Sequence, residues 1–235
     1  IMVCISENSR EKELQYIDLL YSHRVLGIVV CSHIGETMEH LDSNCPLISF
    51  EREIAENIPA VLCDNYQGGI LAANRLFDAG CRNIAIFNPP TKENIPAYSR
   101  EKAFMKCCED KKISGRVVYT DRLAPLSEEF GNNILELLKK NSDLDGIFAT
   151  SDVMAANIIR ACKKMGKRVP EDISIVGFDD TWISTLTYPS ITTIHQPVQE
   201  MCEYAIEAIV KKVKSEKVPS QVVFPVELID RESTK

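Results

Sequence analysis

The side chains best placed to do chemistry are the adjacent carboxylates Asp179 and Asp180 and the pair Ser151 and Asp152. Two neighbouring carboxylates can share a metal ion or divide acid and base duties. Adjacent residues on a strand point to opposite faces, however, so one substrate rarely meets both, and binding or capping outranks catalysis. Four histidines, His23, His33, His40 and His195, form no ligand constellation with the nine cysteines. Cys107 and Cys108 are adjacent and lack metal-ligand spacing. Six others are scattered through apolar segments (Cys4, Cys31, Cys63, Cys81, Cys162, Cys202), and an odd count of nine leaves at least one unpaired. That distribution points to reduced core thiols rather than a disulfide framework. Gly68-Gly69 fall inside a helical pattern, and no phosphate loop, Gly-x-Ser-x-Gly elbow or HExxH motif occurs. No catalytic residue, metal or cofactor is expected, which leaves ligand binding.

The elements that must position these residues run from Gly146 to Pro197. Gly146–Thr150 is a short apolar run, as expected of a strand buried on both faces of a parallel sheet. Ser151 and Asp152 can cap a helix whose apolar positions Ala155, Ile158, Ile159, Cys162 and Met165 recur at helical spacing, and Gly166 stops it. Ile173–Phe178 is the next strand and ends at Asp179-Asp180, with a long loop after it. Both polar pairs therefore sit at carboxyl ends of parallel strands, where α/β sheets bind ligands.

The same rhythm fills the rest of the chain. Strands are expected at Ile1–Ser6, Val25–Cys31, Leu47–Phe50, Ala60–Cys63, Asn83–Phe87, Arg116–Thr120 and Gln221–Leu228. Helices are expected over Glu11–Ser22, around Glu36–Leu41, after Asp64-Asn65, over Tyr98–Lys111, from Ser127, and from Pro197 to about Lys214. Repeated βα units with short connections mean a doubly wound parallel sheet. The break at Pro89-Pro90 marks a lobe boundary, so two lobes are expected. With 235 residues, 45% of them hydrophobic, the chain can bury a sizeable core. A net charge of −7 argues against this chain gripping nucleic acid by itself. No apolar run approaches the about 18 residues that a membrane span needs.

Three segments carry a resemblance: Ile147–Asp152 followed by Met154-Ala155; Arg168-Val169-Pro170-Glu171-Asp172 through Ile173–Asp180; and Pro189-Ser190-Ile191-Thr192-Thr193-Ile194-His195-Gln196-Pro197. They resemble the effector-binding core of LacI/GalR-family bacterial transcription regulators, which has the fold of type I periplasmic binding proteins, and the likeness covers essentially the whole chain. It implies an α/β architecture of two doubly wound parallel-sheet lobes joined by three crossovers around a ligand cleft. The N-terminal lobe would hold residues 1–88 and 194–217, and the C-terminal lobe 89–193 and 218–235. The family's helix-turn-helix head, and the first strand and helix of its first lobe, are expected to lie outside this chain. The resemblance carries effector binding onto Arg100, which opens the helix after the first crossover, and onto Asp179, Ser151 and Asp152. It leaves Trp182, in the loop after Asp179, as a wall of the site. A guanidinium fork suits vicinal hydroxyls or a carboxylate, and a carboxylate can take two sugar hydroxyls. The implied function is the ligand-sensing and dimerisation core of a cytoplasmic repressor of carbohydrate-utilisation genes. Its effector would be a sugar or sugar phosphate, and it would reach operator DNA as a homodimer through the separate head. An extracellular sugar-binding protein of an uptake transporter is the alternative, and a two-lobed α/β enzyme comes third.

Overall fold

The computed structural model describes residues 1–7, 9–31, 45–90 and 95–235. The helix expected around Glu36–Leu41, with His33 and His40, lies outside the described residues. The chain divides into two units, residues 1–63 with 197–224 and residues 64–196 with 225–235, and passes between them three times.

In the first unit, helix α1 (Arg10–Ser22) starts where Ser9 Oγ accepts from the Lys12 amide. Strands β1 (Ile28–Val30), β2 (Leu47–Phe50) and β3 (Ala60–Cys63) pair in parallel in that order. Ile28, Leu47 and Ile58 form a core with Leu20, Tyr21 and Val30 packed on it. Residues 1–6 are not a strand, contrary to the apolar pattern. No described strand pairs with them, and Ile1, Val3 and Ile5 stay exposed. A strand without a ladder partner leaves its backbone to water.

The second unit begins at Asp64, whose carboxylate accepts from the Gln67 amide 2.8 Å away and starts helix α2 (Asn65–Asp78). The helix closes before Gly80, at φ +88°. Then come β4 (Asn83–Asn88), α3 (Tyr98–Lys111), β5 (Ser114–Tyr119), α4 (Glu128–Lys140), β6 (Gly146–Ala149), α5 (Asp152–Lys164) and β7 (Ser174–Asp179). Ser127 and Ser151 cap α4 and α5 by accepting from the Phe130 and Met154 amides. The stretch expected as a loop after β7 contains helix α6 (Trp182–Leu186) and strand β8 (Thr192–His195). Helix α7 (Val198–Val213) and β9 (Gln221–Phe224) complete the first unit, and β10 (Glu227–Ile229) returns to the second.

The expected single strand Gln221–Leu228 is therefore two strands in two sheets. Pro225 separates them, and a proline cannot donate to a ladder. The first sheet runs β1-β2-β3-β9, all parallel. The second runs β10-β8-β7-β6-β4-β5, with only the β10–β8 pair antiparallel. The boundary expected at Pro89-Pro90 falls instead between Cys63 and Asp64, because β4 pairs with β5 and β6 rather than with β3. The prolines mark the loop between β4 and α3, not a change of unit.

Strands β4, β6 and β7 read as apolar runs because they are covered on both faces. Phe104, Phe148 and Phe178 are all fully buried, with Phe104 stacked on Phe148 at 5.8 Å between centroids and Phe178 tilted against Phe148 at 6.4 Å. Gly68 and Gly69 let α2 approach this layer. A Cβ on Gly68 would lie 2.7 Å from the Phe178 ring, and one on Gly69 2.3 Å from the Arg100 carbonyl oxygen. The glycine pair serves helix packing, not phosphate binding.

Candidate functional site

The candidate residues lie in the second unit, on the carboxyl ends of β6 and β7 and the first turns of α3, α5 and α6. Arg100 is only 8% exposed. Its guanidinium carbon stands 3.5 Å from the centroid of the Phe178 ring, a contact worth about 2 kcal/mol when desolvated. Its Nε donates to Asn65 Oδ1, and Nη1 donates to the Thr150 carbonyl at 3.2 Å. The first residues of α2 and α3 and the ends of β6 and β7 thus meet at one guanidinium. A fork fixed in a plane this way is pre-organised for bidentate partners.

Asp179 follows Phe178 at the end of β7 with φ +108°, and Asp180 follows with φ +57°. Two consecutive non-glycine residues in the left-handed region are strained and persist only where the surroundings hold them. The holding groups come from the strand next door and from the chain end. Asp179 Oδ1 accepts from Gln196 Nε2 at 2.7 Å. Asp180 Oδ1 accepts from Arg231 Nη2 at 2.6 Å and from Ser184 Oγ at 3.3 Å, and its Oδ2 lies 3.0 Å from His195 Nδ1. Burial pushes the Asp180 carboxyl up, but Arg231 and His195 outweigh it and hold it below the usual carboxylate range. The two carboxylates face different partners, as adjacent strand positions should, with Asp179 tied to Gln196 and Asp180 serving a structural ion pair.

Ser151 is the cap of α5, as the sequence suggested for the pair. Asp152 is not the cap. It is fully buried, and both its oxygens are occupied: Oδ1 accepts from Thr193 Oγ1 at 2.6 Å, and Oδ2 accepts from the Thr181 amide at 2.6 Å and its hydroxyl at 3.1 Å. Burial raises its carboxyl, and the three hydrogen bonds oppose the rise without cancelling it. Gly177 makes room for it, since a Cβ there would lie 2.5 Å from Asp152 Oδ1. Through these bonds Asp152 ties α5, β8 and the turn after β7 together. Trp182 opens α6 and is 71% exposed, available as a wall and contributing little to the core.

Sequence reasoning missed Phe178 as the plate under Arg100, Asn65 as its anchor, and Gln196 as the partner of Asp179. Gln196 stood in the His195-Gln196-Pro197 motif, and Asn65 beside a recognised helix start, but sequence spacing says nothing about which strand ends converge. A second polar relay borders the site: Tyr119 donates to buried Glu101 at 2.9 Å, and Asn88 donates to its other oxygen at 3.1 Å. Among the described residues, no group of three or more His, Cys, Asp or Glu could hold a metal, and no helix is long and apolar enough to cross a membrane.

Residues 73–234 match a family model described as a periplasmic binding protein-like domain. The ribose operon repressor of Halalkalibacterium halodurans is 31% identical over 236 residues, which cover 100% of this chain and 70% of that protein. The sucrose operon repressor of Lactococcus lactis subsp. lactis is 28% identical over 97% of this chain and 70% of its own. Among solved structures, a periplasmic binding protein/LacI transcriptional regulator from Alkaliphilus metalliredigens QYMF, complexed with D-xylulofuranose, is 32% identical with a TM-score of 0.86. The match covers 100% of this chain and 87% of that one. A LacI family transcriptional regulator from Enterococcus faecium with bound ribose is 27% identical with a TM-score of 0.79, over 94% of this chain and 84% of that one. These relatives are transcription regulators, not enzymes.

Proposed function

This chain belongs to the LacI/GalR family of bacterial transcription regulators as its periplasmic-binding-protein-like core, and on that premise we propose that it senses a sugar, with pentoses first in line. The ribose operon repressor at 31% identity and the solved relative holding D-xylulofuranose at 32% put a pentose ahead of the disaccharide that the sucrose operon repressor at 28% suggests. In this reading Arg100 and Asp179 hold the effector's hydroxyls, Trp182 forms a wall, and Ser151 and Asp152 keep the strand ends in place. The single observation that carries it is the buried Arg100 guanidinium, centred over the ring of Phe178, one residue before the strained Asp179. A positive plane and a carboxylate on one sheet end match the donor and acceptor faces of a polyol.

The protein acts in the cytoplasm as a homodimer and reaches operator DNA through a separate helix-turn-helix head. The sugar shifts the dimer between two states to the extent that it binds them with different affinity. The regulators among the relatives favour this over an uptake transporter's binding protein. A thermal-shift screen against D-ribose, D-xylulose, sucrose, cellobiose, pentose phosphates, nucleosides and amino acids tests it. A ligand at a hundred times its dissociation constant adds about 2.7 kcal/mol of stability. Stabilisation by a pentose or its phosphate is the expected result. Stabilisation by an amino acid or nucleoside, with silence from every sugar, would overturn it.

A further inference from the structure

We propose that Cys31 and Cys202 are a redox-sensitive dithiol that closes to a disulfide under peroxide and staples helix α7 to the edge strand of the first unit's sheet. None of the nine cysteines is in a disulfide, and only these two are exposed. Cys63, Cys81, Cys108 and Cys162 are buried, as core thiols should be, so the exposed pair falls outside that explanation.

The fold brings the two together. Strand β9 follows α7 and pairs in parallel with β3, in the same sheet as β1, so α7 runs back against the strand direction. The register is fixed at one point by Gly27, where a Cβ would lie 2.6 Å from Ile209 Cγ2. Cys202 precedes Ile209 by two helical turns and shares its side of the helix, about 10 Å along the axis. Gly27 and Cys31 flank β1 four residues apart, which places them on the same face, about 13 Å along. Both thiols therefore arrive over the carboxyl end of β1, on the side of α7 that faces the edge strand. The electrostatics agree with this placement. Partial burial pushes the Cys31 thiol up, a negative charge on neighbouring Cys202 pushes it the same way, and Arg52, just past β2, pulls it down.

The raised Cys31 makes exposed Cys202 the first sulfur to react. Its thiolate attacks a peroxide oxygen, breaking the O–O bond to give a sulfenic acid and, after protonation, water. The Cys31 sulfur then attacks the Cys202 sulfur and loses its proton, and the sulfenic oxygen leaves as a second water. Two thiols are oxidised and one peroxide is reduced.

The test treats the whole chain with hydrogen peroxide, blocks remaining thiols by alkylation and maps peptides without reduction. The expected product is one intramolecular Cys31–Cys202 link in monomer-sized chains, reversed by dithiothreitol, with Tm raised by about 5–10 °C. Cys31→Ser and Cys202→Ser, at exposed positions, should each fold normally and abolish both the link and the Tm rise, while Cys107→Ser keeps them. Oxidation of Cys202 to a sulfinic acid without a link, or links that map to other pairs or between chains, would overturn the proposal.

Discussion

Replacing Asp152 separates a structural tie from a ligand contact. Its two oxygens accept from three donors, the Thr181 amide, the Thr181 hydroxyl and the Thr193 hydroxyl, at a fully buried position. Asp152→Ala orphans all three. A buried donor left unpaired costs about 1–3 kcal/mol, and hydroxyls can turn elsewhere, so the sum comes to about 3–5 kcal/mol. Asp152→Asn keeps one acceptor for the Thr181 amide and turns an NH2 toward Thr193, whose hydroxyl can accept, so it costs about 1–2 kcal/mol. The pH dependence adds a second check. Burial raises the Asp152 carboxyl, so its folded value lies above the unfolded one of about 3.9. Such a group stabilises most below about pH 4 and loses that contribution as pH rises through its folded value. The deficit of Asp152→Asn against wild type therefore shrinks from acid toward neutrality. Urea unfolding of wild type and both variants at several pH values measures this. An alanine variant that loses less than about 1 kcal/mol, or an asparagine variant that folds but no longer binds effector, would refute the reasoning.

Three other outcomes follow from the same contacts. Asp180→Asn should cost about 1–3 kcal/mol, since it weakens the tie to Arg231 and His195. Because the Asp180 carboxyl is lowered on folding, that contribution is present above about pH 4 and vanishes as pH falls through the folded value, so variant and wild type should converge in acid unfolding curves. Gly69→Ala meets the Arg100 backbone oxygen and should cost about 3 kcal/mol, more than Gly68→Ala, which meets only a ring edge; calorimetry of both ranks them. Trp182→Ala should leave stability within about 0.5 kcal/mol, because the ring is exposed, yet weaken effector binding about tenfold in titration calorimetry.

Much of this fold is legible in the residues because its punctuation is local. Asp64, Ser127 and Ser151 start helices at the expected positions, and Gly80 and Gly166 follow the ends of α2 and α5 with positive φ. What escaped was long-range. The sequence shows that β4 is a strand but not which sheet it joins, and Pro89-Pro90 misled because a loop and a unit boundary share the same composition. Residues 1–6 have a strand's apolar pattern without a ladder partner among the described residues. Strand β8 hid behind Pro189 and the short helix α6. In the candidate site, Arg100 and Asp179 were named from the resemblance alone, whereas Phe178 under the guanidinium and the occupied oxygens of Asp152 depend on packing that no spacing reveals.

The most direct test of the central claim is titration calorimetry of the stabilising sugar against wild type, Arg100→Lys and Asp179→Asn. Lysine keeps the charge but loses the fork, and asparagine keeps the strained backbone but loses the carboxylate. If these residues hold the effector, each variant weakens binding by about 2–4 kcal/mol, roughly 30- to 1000-fold, with the fold intact. Unchanged affinity in both would contradict the assignment of this sheet end as the sugar site.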